Sequence, residues 1–392
     1  MPMIRLKTLV LATLYVTVSN TVAMEILTAP ALPVDADGWT LLPPPRTADG
    51  LPPAEVIDVP ASPNAHAAKA PPSRLVRLQV PGFKTVLAGA LDKDIELTAA
   101  QSPVLIHGVL LVPTGRTLTL RKGVVLRFRS DPKADAPKAP NMPDPRRTGI
   151  LWVNGRLLAD GLKEPRVQIS AVKGQTGSLS FSGAEMSELR GADVSHIAIA
   201  QPSASVQWLA CKLTNVPHYA LAGGAAFFIH CSIQRCGGIF TTYHTKPWAL
   251  LVNRCTFDAC REGLVFGCPS GNYALFIERN AFTQTSGAIL RALPDATASK
   301  GKSRSRGAEL LIGENWYGTA IPEQIDARII DRRSHKGIRL WLNTRPPAEQ
   351  RYADVGAQVP MPALARALKE LEPTRVKMLK TVSGKKTVQL KP

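Results

Sequence analysis

The sequence predicts an all-β chain wound as a parallel solenoid, and three observations carry that reading. Short apolar runs rich in Val, Ile, Phe and Thr recur through the middle of the chain in a fixed register, too closely spaced to hold helices between them. The composition is turn-rich, with 29 Gly and 33 Pro against 6% aromatic residues, which favours strands and turns over helix bundles. A 45% hydrophobic content over 392 residues is enough to fill a long continuous core.

From the N-terminus, a basic start (MPMIRLK) leads into a short apolar run (TLVLATLYVTVSN) and then small residues (TVA). That order is the pattern of a secretory signal peptide, so residues 1–23 are expected to be cleaved after Ala23 and the protein exported to the periplasm, cell envelope or exterior. The apolar run is too short and too polar to span a bilayer, and no later stretch is apolar enough to do so. Residues 24–73 are rich in Pro and Ala, a composition that cannot bury enough apolar surface to fold and reads as an extended spacer.

The solenoid is read over 74–343. Two basic insertions without apolar periodicity, SDPKADAPKAPNMPDPRR (130–147) and DATASKGKSRSRG (295–307), read as surface loops. The remainder, 344–392, is a basic tail with one amphipathic stretch, ALARALKELE (363–372), that sets Leu364, Ala367, Leu368 and Leu371 at helical spacing. An open solenoid end exposes unpaired backbone groups, so this stretch and the strand-like RLVRLQV (74–80) are the candidate end caps.

Within the repeat block, RGADVSHI (190–197), WLACKLTNV (208–216), FIHCSIQRC (228–236), LVNRCTFDAC (251–260), FIERNAFTQT (276–285) and LIGENWYG (311–318) stack in one register. Ala192, Cys211, Cys231, Cys255, Asn280 and Asn315 share a column. Val194, Leu213, Ile233, Phe257, Phe282 and Tyr317 share a second. Ile197, Val216, Cys236, Cys260 and Thr285 share a third. Coils of roughly 20–25 residues built from short strands place like positions about 4.8 Å apart.

Three states are open to the paired cysteines of CSIQRC and CTFDAC: stacked buried thiols, disulfides between rungs (Cys231 to Cys255 or Cys236 to Cys260), or a zinc site. Cysteine is small and apolar enough for an interior ladder, rung spacing lies inside the range for a bridge, and zinc prefers tighter Cys/His clusters. The stacked Asn280 and Asn315 are expected to bond turn backbone, because turns need side-chain partners.

Three stretches resemble the right-handed parallel β-helix proteins of the pectin-lyase-like superfamily. They are the entry SPVLIHGVLLVPTGRTLTLRKGVVLRF (102–128), the coil GILWVNGRLLADGLKEPRVQIS (149–170) and the exit GENWYGTAIPEQIDARIIDRR (313–333). The resemblance implies a right-handed parallel β-helix and a setting in which acidic polysaccharides are bound or cleaved. It carries no catalytic residues across. The acidic residues of the block, Asp193, Asp258, Glu262, Glu278 and Asp295, are scattered, with no paired carboxylates for glycoside hydrolysis and no oxygen cluster for calcium.

No cofactor motif or metal-ligand cluster is read from the sequence. The formal charge of +18 attracts anionic polymers. Nucleic acid is not the expected partner, because no aromatic platform accompanies the Arg/Lys clusters and the chain reads as exported. Anionic polysaccharide is. The best patch for it is TTYHTKPW (241–248), where Tyr243, His244, Lys246 and Trp248 pair cations with ring faces, with Arg291, Arg254 or Arg279 on neighbouring rungs. The expectation is therefore an exported binding or structural surface protein. The rival is a metal-independent lyase acting on uronate glycans through the same patch. His196, His218 and His230 read as surface or turn residues.

Overall fold

Each coil contributes one strand to each of three faces, and like strands of successive coils pair in parallel. The computed structural model describes residues 56–58, 74–76, 80–134, 144–241, 246–267, 272–294, 309–335, 338–344 and 346–383. The proposed signal peptide and the residues Tyr243, His244 and Cys268 lie outside them. The first face is an eight-stranded parallel sheet running from Ile95–Leu97 to Tyr273–Glu278. The second face stacks Val125–Arg129, Val167–Ala171, Ala192–Ser195, Lys212–Thr214, Ser232–Gln234, Thr256–Asp258 and Ala281–Thr283. The third runs from Thr148–Val153 through Thr176–Phe181, Ile197–Gln201 and Tyr219–Leu221 to Ile329–Ile330. This is an all-β parallel β-helix.

The predicted columns form. Lys212 pairs Ser232, and Ser232 pairs Thr256, which sets Cys211, Cys231 and Cys255 on successive rungs; Ala281 bridges Trp316, which brings Asn280 over Asn315. Along the second column Phe257 and Phe282 stack at 4.6 Å, and Phe282 and Tyr317 at 5.6 Å. Full burial of rings of this size contributes about 1.5–3 kcal/mol each, so this column is a main source of stability for the later coils.

Two of the three corners are built from left-handed residues in stacks of their own. Gly191, Ala210, His230, Arg254 and Arg279 (φ 50 to 59°) turn the chain from the first face to the second, each just before the Cys/Asn column. His196, Asn215, Arg235, Ala259 and Gln284 turn it from the second to the third. An L-residue in this conformation is strained. The strain is offset where the corner N–H bonds the next rung, as from His230 to Asn253 O at 3.0 Å and from Arg279 to Glu314 O at 2.8 Å. In the first coils, Gly108 (φ 65°) does the same work: Val104–Val112 pairs the second face before it and the third face after it.

The Cys/Asn column satisfies these corners from inside. Asn280 Oδ1 accepts the Cys255 N–H at 2.9 Å, and its Nδ2 donates to Val252 O at 2.9 Å. Cysteine makes a weaker version: Cys255 Sγ accepts the Cys231 N–H at 3.3 Å, and Cys231 Sγ donates to Trp208 O at 3.4 Å. Cys211, Cys231, Cys236, Cys255 and Cys260 are buried free thiols, so of the three open states the stacked ladder is the one observed. Burial pushes the Cys211 and Cys231 thiols well above the ordinary thiol range.

The ends depart from expectation. Val56–Asp58, inside the segment read as spacer, forms an antiparallel pair with Arg74–Val76. The tail holds a helix longer than predicted, Met361–Val382, with Pro373 inside it. This helix is no end cap. It lies across the outer surface of the first face, where Leu364, Ala367, Leu371 and Met378 pack on Phe227, Ile229, Ala249, Leu251 and Ala274. The physical reason is that outward apolar side chains on those strands leave a lateral surface needing cover as much as an end does. At the C-terminal end, Trp341–Thr344 pairs in parallel with Glu309–Ile312.

Candidate anion-binding face

Outward side chains of the second face are polar over successive rungs. Register places Arg127, Ser170, Ser195, Thr214, Gln234, Asp258 and Thr283 in one outward column, with Gln168, Asp193 and Lys212 beside it. At its N-terminal end this surface dips into a pocket of about 190 Å³ lined by Arg127, Gln168, Ile169, Ser170, Asp193 and Ser195.

The strand Val125–Arg129 alternates Leu126 and Phe128 inward, so Arg127 is driven outward, where Ser170 on the next rung is too small to cover it. Arg127 Nη1 donates to Ser170 Oγ. Burial pulls its pKa below the ordinary arginine value, though a guanidinium stays charged. One wall is Asp193, held by Arg166 Nε at 2.7 Å while Arg166 Nη2 donates to Ala210 O at 2.7 Å. Lys212 is exposed next to Asp193 in register. The rim towards the first coils carries exposed Arg129 opposite His107. His107 Nε2 lies 3.8 Å from Asp131 Oδ1, and burial keeps that imidazole below its usual pKa. The arrangement is a partly desolvated cation above small hydroxyl side chains. Such a site can hold a carboxylate or sulfate through charge-assisted hydrogen bonds.

The patch predicted at 241–248 is divided. Tyr243 and His244 lie outside the described residues. Lys246 is exposed at the corner between the third and first faces. Trp248 is 1% exposed and stacks inside the coil on Tyr273 at 5.7 Å, so its ring offers no face to a sugar. It starts the strand Trp248–Asn253 in register with Gly224, which is left-handed (φ 77°) and packs against the Ala204 backbone. Arg291 stands outward on the third face and binds Glu262 at 2.8 Å.

Arg254 and Arg279 are on the opposite corner, engaged with the tail: Arg254 with Asp354 at 3.0 Å and Glu370 at 2.8 Å, Arg279 with Glu370 at 3.8 Å. These arginines therefore do not join Lys246. His196 and His230 are corner residues as expected, yet His230 is fully buried because the tail passes over its corner.

The scattered carboxylates are engaged singly, Asp193 with Arg166, Asp258 with Thr283 at 2.8 Å and Glu262 with Arg291. Among the described residues, no group of three or more His, Cys, Asp or Glu is placed to hold a metal ion, and no helix is long and apolar enough to cross a membrane. The sequence reading missed Arg127 because it began its register at residue 190. Carrying the columns back to VLRFR (125–129) and VQISA (167–171) stacks the arginine over a serine. No family model, curated protein or solved structure matches the chain.

Proposed function

We propose that this chain is an exported β-helix protein that binds anionic polysaccharide along its second face, as a binding or structural surface protein. The observation that carries the reading is Arg127: a guanidinium partly withdrawn from water, opening onto a serine-floored pocket at one end of a polar face several coils long. A rung spacing of about 4.8 Å is close to the rise of an extended sugar chain, so a polymer lying along the axis meets an outward side chain at each residue. The basic excess of the whole chain favours an acidic polymer. The pectin-lyase-like resemblance of the entry, second coil and exit supports the same ligand class, and the N-terminal segment supports export.

The test is calorimetric titration with a uronate polymer and with a neutral glucan, at low and at moderate salt. Binding of the uronate alone, weakened by salt and about tenfold weaker in Arg127→Gln, supports the proposal. Equal affinity in the variant, or no uronate binding at low salt, overturns it. Ultraviolet absorbance of unsaturated products in the same mixtures separates this reading from the lyase.

A further inference from the structure

The cover over the first face leaves polar groups unpaired. Under the tail, four buried side-chain nitrogen and oxygen atoms have no hydrogen-bond partner: Gln207 Oε1, both ring nitrogens of His230, and Arg375 Nε. Gln207 is the outward neighbour of Phe227 in register, and the Arg375 guanidinium lies 5.7 Å from the Phe227 ring. His230 sits in the corner stack between Ala210, which packs in the cluster formed with the helix, and Arg254, which the helix binds through Glu370. The helix carries Pro373 in its interior, which removes one of its backbone hydrogen bonds. A tightly docked element would satisfy these groups; a removable one tolerates them.

We infer that residues 346–383 form a strap that is latched over the first face by Arg254 and released when His230 takes up a proton.

The latch is ionic: Arg254 meets Asp354 and Glu370, donates to Asn253 Oδ1 at 2.8 Å, and its carbonyl accepts the Gly356 N–H at 2.9 Å. The charges acting on His230 are Arg254 from its own corner stack and Asp354 from the strap; Arg254 in turn binds Glu370 of the helix, which Arg279 approaches from the next rung. A proton on the imidazole sets a second positive charge one rung from Arg254, in a buried place with no acceptor.

Burial first, and Arg254 second, push the His230 pKa down to about 4, while Asp354 acts in the opposite sense. The sign follows. A group whose value is depressed in the closed state and returns to 6.5 when exposed favours the open state as pH falls from 6.5 towards 4; closure is complete above that window. Between pH 7.5 and pH 5.0 the opening constant rises about 30-fold. Release uncovers Phe227, Ile229 and Leu251 and leaves the coils intact.

Amide hydrogen exchange on the full chain at these two pH values, corrected for intrinsic rates, reads the opening directly. In the native protein, protection across 361–382 is expected to fall about 30-fold at pH 5.0, while strands Trp248–Asn253 and Tyr273–Glu278 keep theirs. His230→Asn keeps a residue that tolerates the left-handed corner and carries no charge at either pH, and should hold the change below about threefold. The doubly neutralised Asp354→Asn, Glu370→Gln chain should open more at both pH values and retain the His230-dependent step. A native change no larger than that of His230→Asn, or loss of the step in the double variant alone, overturns the inference.

Discussion

Asn280→Ala tests whether the inner column is the element that holds the corners. The side chain makes three buried hydrogen bonds: Oδ1 accepts the Cys255 N–H, and Nδ2 donates to Val252 O and to Asn315 Oδ1, each at 2.9 Å. Alanine removes all three and leaves the Cys255 N–H buried without an acceptor. An orphaned buried group costs about 1–3 kcal/mol and each of the two remaining bonds contributes about 0.5–1.5 kcal/mol, so the expected loss is about 2–6 kcal/mol. Asn280→Cys copies the residue one rung earlier, where sulfur accepts the corner N–H at 3.3 Å and donates to Asn253 O at 3.4 Å. It should cost only about 1–2 kcal/mol. Because a solenoid opens locally, the readout is amide exchange across 251–257 and 276–283 beside the urea midpoint. Equal losses for Ala and Cys, or an Ala loss below about 1 kcal/mol, would refute the column argument.

Three further outcomes are expected. Cys211, Cys231, Cys236, Cys255 and Cys260 should resist alkylation at pH 8 in the native protein and react fully in denaturant, because all five are buried from the reagent and burial further disfavours the thiolate at Cys211 and Cys231; peptide mapping that finds Cys231 labelled in the native state would contradict the buried ladder. Tyr219→Phe breaks an interior chain in which Trp208 Nε1 donates to the Tyr219 hydroxyl at 3.1 Å and that hydroxyl donates to Gln201, so it should lower stability by about 1–3 kcal/mol, read as a shifted urea midpoint. Truncation after residue 344 should leave the coils folded by circular dichroism but bind a hydrophobic dye and self-associate in light scattering, since it uncovers the outer first face. A truncated chain that stays monomeric and dark to the dye would show that this face needs no cover.

What the sequence disclosed follows from which residues have to agree. Inward positions of successive coils touch, so Val194, Leu213, Ile233, Phe257, Phe282 and Tyr317 are constrained together and their column is visible by eye. The corner stacks were less visible. His230, Arg254 and Arg279 are unusual left-handed residues, tolerated because each N–H is bonded to the next rung, and within that stack glycine marks the conformation at Gly191 alone. Outward positions answer to no packing rule, so the Arg127 to Thr283 column reads as ordinary polar strand residues until register is known. Trp248 shows the converse: an aromatic beside lysine and histidine looks like a sugar platform, but the ring is an inward position, buried and stacked on Tyr273 of the next rung.

The strap was legible in principle, through a signal in the strands it covers. An exposed sheet face alternates apolar with polar residues, whereas strands covered on both sides read as continuous apolar runs. GAAFFI (224–229) and WALLVN (248–253) are such runs, while MSELR (186–190), two coils earlier, alternates. The change marks where the outer surface of the first face becomes covered, and the amphipathic segment 361–382 is what covers it. That segment brings its own carboxylates to the Arg254 corner, so cover and latch arrive together. His230 lies under both, and protonation there acts against the latch without touching the coils.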